Sequence, residues 1–151
     1  MKFMSRYLII IVLLSGVMIQ SCTRSTSKIK FHKSHEASRA NVPFSDAVET
    51  GNLLFLTGQI GKDHKEGKLV KGGIKAETKQ VIENISDVLK HHNLSLDNVV
   101  KCTVILKDIN DFKDFNSVYT AYFTKKPART TFAAAGLAGG ASIEIDVIAA
   151  K

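Results

Sequence analysis

The chain is poor in cysteine, in long apolar runs and in clustered charge, and each shortage closes off a class of protein. Its two cysteines are Cys22 and Cys102. Cys22 falls at the end of an N-terminal leader, so Cys102 stands alone in the remainder and no intramolecular disulfide can staple it. Cys102 alternates with Val100, Val104 and Leu106, the pattern of a small core residue, and nothing beside it would lower its pKa towards a reactive thiolate. The apolar run Tyr7–Ile19 has thirteen residues, short of the about 20 that a membrane-spanning helix needs. The net charge of +7 is spread over loops and interleaved with acids. Nucleic-acid binding would want a dense basic stripe with stacking aromatics, so nucleic acid is not an expected partner. The five histidines, His32, His35, His64, His91 and His92, show no metal-ligand spacing, and no metal or other cofactor is expected. The adjacent pair His91 and His92 reads as complementing a helix dipole. No segment repeats, and none is of low complexity.

What is present begins with the leader. Met1–Arg6 is short and positive, Tyr7–Ile19 is apolar, and Ile19-Gln20-Ser21-Cys22 follows. A small residue directly before a cysteine at the end of an apolar stretch looks like a bacterial lipoprotein cleavage site. The expectation is a signal peptide over residues 1–21, a lipid on Cys22 that anchors the chain at a membrane, and a polar tether over residues 22–28. The protein would then sit in the cell envelope, facing the periplasm or the cell exterior. Removing Lys2 and Arg6 with the leader lowers the charge from +7 to +5.

Residues 29–151 suffice for one compact domain with one core. Ile29–His32, Phe44–Glu49 and Leu53–Gln59 read as strands, the last two forming a hairpin across Thr50-Gly51-Asn52. Gly61–Gly73 is a loop rich in Lys and Gly. Ile74–His92 is the clearest helix: Ile74, Val81, Ile82, Ile85, Val88 and Leu89 recur at three and four, and Asn93 suits a left-handed cap. Val99–Lys107 is a strand. Asn110 or Asp111 can cap a second helix reaching Phe123, with Phe112, Phe115, Val118, Tyr119 and Tyr122 inward. Two C-terminal strands follow. The order β-β-β-α-β-α-β-β describes an α+β domain, two helices on one face of a mostly antiparallel sheet. Leu53-Leu54-Phe55-Leu56 is apolar at both parities, so the second sheet face should also be covered, most economically by a closed homo-oligomer.

The last twenty-five residues hold the groups best suited to chemistry. Arg129 is a fixed cation able to grip a carboxylate with two parallel hydrogen bonds, and Glu144, in the alternating stretch Ile143–Val147, can hold or deprotonate a water. An internal salt bridge between them is the competing reading. A simple hairpin about Gly139 and Gly140 argues against that pair, because it would set Arg129 opposite Ala149 or Ala150.

Three ordered pieces, VPFSDAVETGNLLFLTGQIG (Val42–Gly61), TVILKDINDFKDFNSVYTAYF (Thr103–Phe123) and PARTTFAAAG…IEIDVIA (Pro127–Ala149), together resemble the RidA/YjgF family of enamine/imine deaminases. The resemblance covers the domain from about Ile29 onward. It implies a chorismate-mutase-like fold, a homotrimer with ligand clefts between subunits, and hydrolysis of 2-imino acids such as 2-iminopropionate, the tautomer of 2-aminoacrylate, to 2-keto acids and ammonia. It implies that Arg129 binds the substrate carboxylate, that Glu144 positions the water, and that Phe44, Thr57, Gly58, Asn116 and Thr131 line the site. Phe44 stands where relatives often carry Tyr, and Thr131 where the namesake subgroup has Cys. The loop Thr124–Lys126 is also short. The partners so implied are small 2-imino and 2-keto carboxylic acids. A non-catalytic module holding a small carboxylate in the same cleft is the alternative. The ribonuclease activity attributed to some members fits the dispersed charge and an envelope location poorly.

Overall fold

The computed structural model describes residues 28–151. The leader, Cys22 and the tether up to Ser27 lie outside the described residues. The strands are β1 (Lys30–His32), β2 (Ala47–Thr50), β3 (Leu53–Leu56), β4 (Gln59–Ile60), β5 (Lys62–Asp63), β6 (Lys68–Leu69), β7 (Val99–Leu106), β8 (Ala128–Ala133) and β9 (Ile143–Ala150). The helices are α1 (Gly73–His91) and α2 (Phe112–Tyr122). Among the described residues no helix is long and apolar enough to cross a membrane.

The two helices and the mostly antiparallel sheet agree with the expected architecture. The main sheet runs β1-β2-β3-β9-β7-β8, with β4 also paired to β9; only β7 and β8 are parallel. The apolar stripe of α1 is buried as read, with Val81, Ile82, Ile85, Val88 and Leu89 packed on the sheet. From α2, Phe115 and Tyr119 join this core, whereas Phe112 stays exposed. The C-terminus of α1 also ends as read. Asn93 takes φ 59°, its N–H reaches the Lys90 carbonyl at 2.9 Å, and the Leu94 N–H reaches the Leu89 carbonyl at 2.9 Å. These two bonds make a Schellman motif, which satisfies carbonyls the helix leaves open. Gly51, at φ 57°, opens the two-residue turn of the β2–β3 hairpin, where a positive φ excludes most other residues. Cys102 is fully buried, and burial pushes its thiol pKa up, as expected of a core residue.

Four expectations need correction. The anticipated single strand Leu53–Gln59 is broken at Thr57 and Gly58. Leu53 pairs with Ala150 and Phe55 with Ile148, but Gln59 pairs with Ile145, one residue out of step, so the first strand carries a bulge. The loop Gly61–Gly73 contains a small antiparallel ladder, Lys62 opposite Leu69 and Asp63 opposite Lys68. The cap near α2 is Asp108, whose carboxylate accepts from the Asn110 N–H at 2.9 Å and heads a 3-10 turn, Ile109–Asp111, that runs into the helix. Finally, β8 and β9 are not a hairpin, because β7 lies between them. A parallel β7–β8 pair needs a crossover, which α2 supplies, and the chain then passes over the end of β7. There the Ala134 N–H bonds the Leu106 carbonyl at 3.0 Å and the Lys107 N–H the Ser142 carbonyl at 2.9 Å.

The sheet has one covered and one open face. Along β9, Ile143, Ile145, Val147 and Ala149 are buried under the helices, while Glu144, Asp146, Ile148 and Ala150 alternate onto the other side. The open face carries the row Phe31, Val48, Phe55 and Ile148. In it Phe31 is 71% and Phe55 38% exposed, and Phe132 on β8 is 44% exposed. Within one protomer only Leu54 and Leu56 of the doubly apolar strand are buried.

Candidate functional site

The β3–β4 bulge creates the first half of the site. It brings the Gly58 backbone against the Glu144 side chain so closely that a Cβ at Gly58 would collide with the carboxylate, so the position has to be glycine for Glu144 to lie as it does. Glu144 is further set by the start of β9. The buried Glu77 of α1 accepts from the Ser142 N–H at 2.8 Å and from the Ser142 Oγ at 2.7 Å. Asn84, two turns along α1, donates from Nδ2 to the Ile60 and Lys62 carbonyls at 3.2 and 2.9 Å, which ties β4 and β5 to the same helix. Burial, and then the neighbouring Asp146 charge, raise the Glu144 pKa above the ordinary glutamate value. Such a carboxylate accepts a proton more readily than an exposed one.

Glu144 opens into a cleft of about 440 Å³ that also takes in Phe44, Thr57, Gly58, Ile60 and Arg39. Three of the five lining residues expected from sequence, Phe44, Thr57 and Gly58, therefore meet Glu144. Arg39 was not anticipated. Its Nη2 lies 2.8 Å from Asp46 Oδ1 and its Nη1 donates to Gln59 Oε1 at 2.9 Å. Asp46 and Gln59 are both buried, so this arginine is committed to holding the cleft wall, the segment that contains the 3-10 turn Ala37–Arg39. The charge of Asp46 directly before the apolar pair Ala47-Val48 of β2 was the available signal that a cation had to sit against it.

Arg129 builds the second half, elsewhere. On β8 it pairs with Cys102, and Cys102 pairs with Val147; all three side chains therefore point to the helix face. Its guanidinium carbon lies 4.5 Å from the Tyr119 ring centroid, 5.1 Å from Phe115 and 5.7 Å from Phe112. Its Nη1 donates to Asn116 Oδ1 at 2.9 Å. Three rings of α2 and one amide thus fix the plane of the guanidinium. Arg129 and Asn116 share a separate depression of about 420 Å³ with Tyr119, Thr120 and Lys126. Thr131 lies two residues along on the same face and lines neither hollow, and its Oγ1 is buried with no hydrogen-bond partner among the described residues.

The two halves do not meet within one chain. Glu144 pairs with Ile105, and Ile105 with Phe132. Glu144 thus stands in the Phe132 row, on the open face, two strands and three residues away from Arg129. Strand spacing makes this about 14 Å between backbones, with side chains on opposite faces. The internal salt bridge is therefore excluded within a protomer. The β7 strand between β8 and β9, which the hairpin reading lacked, is the cause.

A family model described as endoribonuclease L-PSP matches residues 34–151. A RutC family protein of Pyrococcus horikoshii is 48% identical over 110 residues, which is 72% of this chain and 87% of its own length. The 2-iminobutanoate/2-iminopropanoate deaminase of Homo sapiens is 43% identical over 108 residues, 71% of this chain and 79% of its own. Among solved structures, the YjgF gene product of E. coli superposes with a TM-score of 0.74 at 32% identity, over 81% of this chain and 98% of that one.

Proposed function

The chain belongs to the RidA/YjgF, or endoribonuclease L-PSP, family, and on that premise we propose that it hydrolyses reactive 2-imino acids of the 2-iminopropionate kind to 2-keto acids and ammonia. The observation that carries this reading is the division of the site. An oriented cation and a carboxylate of raised pKa occupy different hollows on opposite faces of one protomer. Two unlike surfaces joined head to tail form a ring when the rotation between copies closes. In a homotrimer the Arg129 hollow of one copy would meet the Glu144 cleft of the next, and the open apolar sheet face would be covered.

The chemistry needs only these groups. A protonated imine is already electrophilic at carbon. Arg129 holds the substrate carboxylate with paired hydrogen bonds, and Asn116 keeps the guanidinium turned towards it. Glu144 takes a proton from water as the oxygen attacks the imine carbon. The proton then passes to the nitrogen of the resulting carbinolamine, the C–N bond breaks and ammonia leaves, while the freed Glu144 carboxylate takes the hydroxyl proton so that the carbonyl forms. Phe44 and Thr57 shape the pocket, and Gly58 leaves the space that Glu144 needs.

The address proposed is the cell envelope, through a lipid on Cys22. It makes Cys22→Ala unprocessed or soluble on fractionation, and identical mass and partitioning of both versions would remove the anchor. That address also favours the second reading, a module that binds small carboxylates without turning them over, because reactive imines arise mainly from cytoplasmic enzymes. Ammonia release from freshly generated 2-iminopropionate separates the two: catalysis above the uncatalysed rate is expected, and binding without release would leave only the module.

A further inference from the structure

The five histidines, scattered between positions 32 and 92, gather along one side of α1. The His32 and His92 rings stand 4.6 Å apart, His92 and His91 5.5 Å, and His91 stacks on His35 at 4.6 Å. His35 Nε2 lies 2.8 Å from Asp87 Oδ2, and Glu36 Oε1 lies 2.7 Å from His64 Nδ1. One group within this band has the composition of a metal site. Donor atoms of His35, Glu36 and Asp87 all lie within 4.8 Å of one another.

Zinc bonds to imidazole nitrogen and carboxylate oxygen are about 2.0–2.2 Å long, so tetrahedral donors sit roughly 3.3 Å apart. Binding an ion would draw the three donors, now within 4.8 Å of one another, in to that spacing. A fourth donor is available on reorientation of one ring: His91 is four residues after Asp87 on the same face of α1, and it stacks on His35 with the ring centroids 4.6 Å apart. The charges point the same way. Two carboxylates flank one imidazole, and when that imidazole is neutral a divalent cation balances both. Nitrogen with carboxylate oxygen suits zinc and its neighbours in the transition series better than the hard oxygen-seeking ions.

We propose that His35, Glu36, Asp87 and His91 bind a divalent transition ion of the zinc class, which clamps the segment carrying Arg39 and Phe44 to helix α1. That segment is a wall of the Glu144 cleft. Its ion pairs to this part of the fold are His35–Asp87 and Glu36–His64. An ion at His35 and Glu36 would join the wall directly to the helix, and would release His64, which also lines the cleft, from Glu36.

The test is a calorimetric Zn²⁺ titration of chelator-stripped full-length protein, with melting temperature read alongside. One ion per chain and a raised melting temperature are expected. Asp87→Asn and His35→Ala should each weaken binding by roughly ten-fold or more and abolish the thermal shift. His32→Ala, in the same histidine band but outside the donor set, should leave both unchanged. Circular dichroism checks that the variants fold. Should His35→Ala fail to fold, Glu36→Gln takes its place as the second ligand change. Absence of saturable Zn²⁺ binding, or binding that survives Asp87→Asn and the second ligand change undiminished, overturns the site. The titration involves no imine substrate, so its failure is separate from failure of the deaminase reading.

Discussion

Replacing Gly58 with alanine tests the placement of Glu144 without touching Glu144. An added Cβ would overlap the Glu144 carboxylate and come within 3.0 Å of its Cδ and 3.1 Å of its Cγ. The Gly58 backbone has no positive φ, so alanine brings no backbone strain. The group in the way is the end of a flexible side chain, and it can swing aside. The fold should therefore survive at a cost of about 0.5–1.5 kcal/mol, that of an off-rotamer side chain. Activity should not survive as well. Moving a proton-accepting group by about 1 Å costs on the order of 10²-fold, and losing it altogether ~10²–10⁴-fold. The loss should fall on kcat, because Arg129, proposed to hold the carboxylate, is untouched. The double variant Gly58→Ala/Glu144→Gln should be no slower than the worse single one, since both remove the same function. The assay is ammonia release from 2-iminopropionate, with melting temperature and molecular mass measured on the same samples. Full turnover in folded Gly58→Ala would refute the reasoning, and additive losses in the double variant would show that Glu144 is not what the alanine displaces.

Arg129→Ala and Arg129→Lys should both stay folded and lower kcat/KM by roughly 30- to 4000-fold, the equivalent of about 2–5 kcal/mol for a lost buried charge contact; lysine cannot reproduce the planar grip that Asn116 and the α2 rings hold in place. Undiminished hydrolysis by either would take Arg129 out of the site. The raised Glu144 pKa has its own signature in pH. A carboxyl whose folded pKa lies above its unfolded value costs stability at higher pH and is relieved of that cost as pH falls through the folded value, so Glu144→Gln should melt no lower than wild type near neutrality and lose any advantage in acid. A clear destabilisation near neutrality would mean that the ionised group is held by a favourable partner. Phe55→Glu, on the open sheet face, should turn a trimer into monomers by light scattering, since each buried phenylalanine contributes about 1.5–3 kcal/mol; a wild-type protein already monomeric at working concentration would remove the shared cleft.

Much of the architecture was legible because it is written in short-range pattern. The three- and four-residue recurrence from Ile74 to Leu89 places one apolar stripe on α1, and Asn93 can take the left-handed cap that ends it. Glycine at position 51 allows the tight hairpin, and the alternation around Cys102 buries that thiol. Arg129, Glu144, Phe44, Thr57, Gly58 and Asn116 stood out through residue chemistry and family likeness, but their division between two hollows of one protomer did not. Thr131 lines neither of them.

What remained hidden depends on partners distant in sequence. Gly58 inside Leu53–Gln59 allows a bulge, but whether and where the strand breaks is decided by how β9 lies against it. No local rule predicts that β7 separates β8 from β9; that order follows from the crossover through α2, and the register of both neighbours on β7, Cys102 beside Arg129 and Ile105 beside Glu144, puts Arg129 and Glu144 on opposite faces. Arg39 reaches Asp46 and Gln59, and His35 reaches Asp87, across gaps that periodicity cannot bridge. Local sequence thus set which segments form helices and strands and which side of each is apolar, since propensity and alternation act over a few residues. Strand order, register and the company each charged side chain keeps were decided by packing, because they depend on which distant segments bury each other's apolar faces.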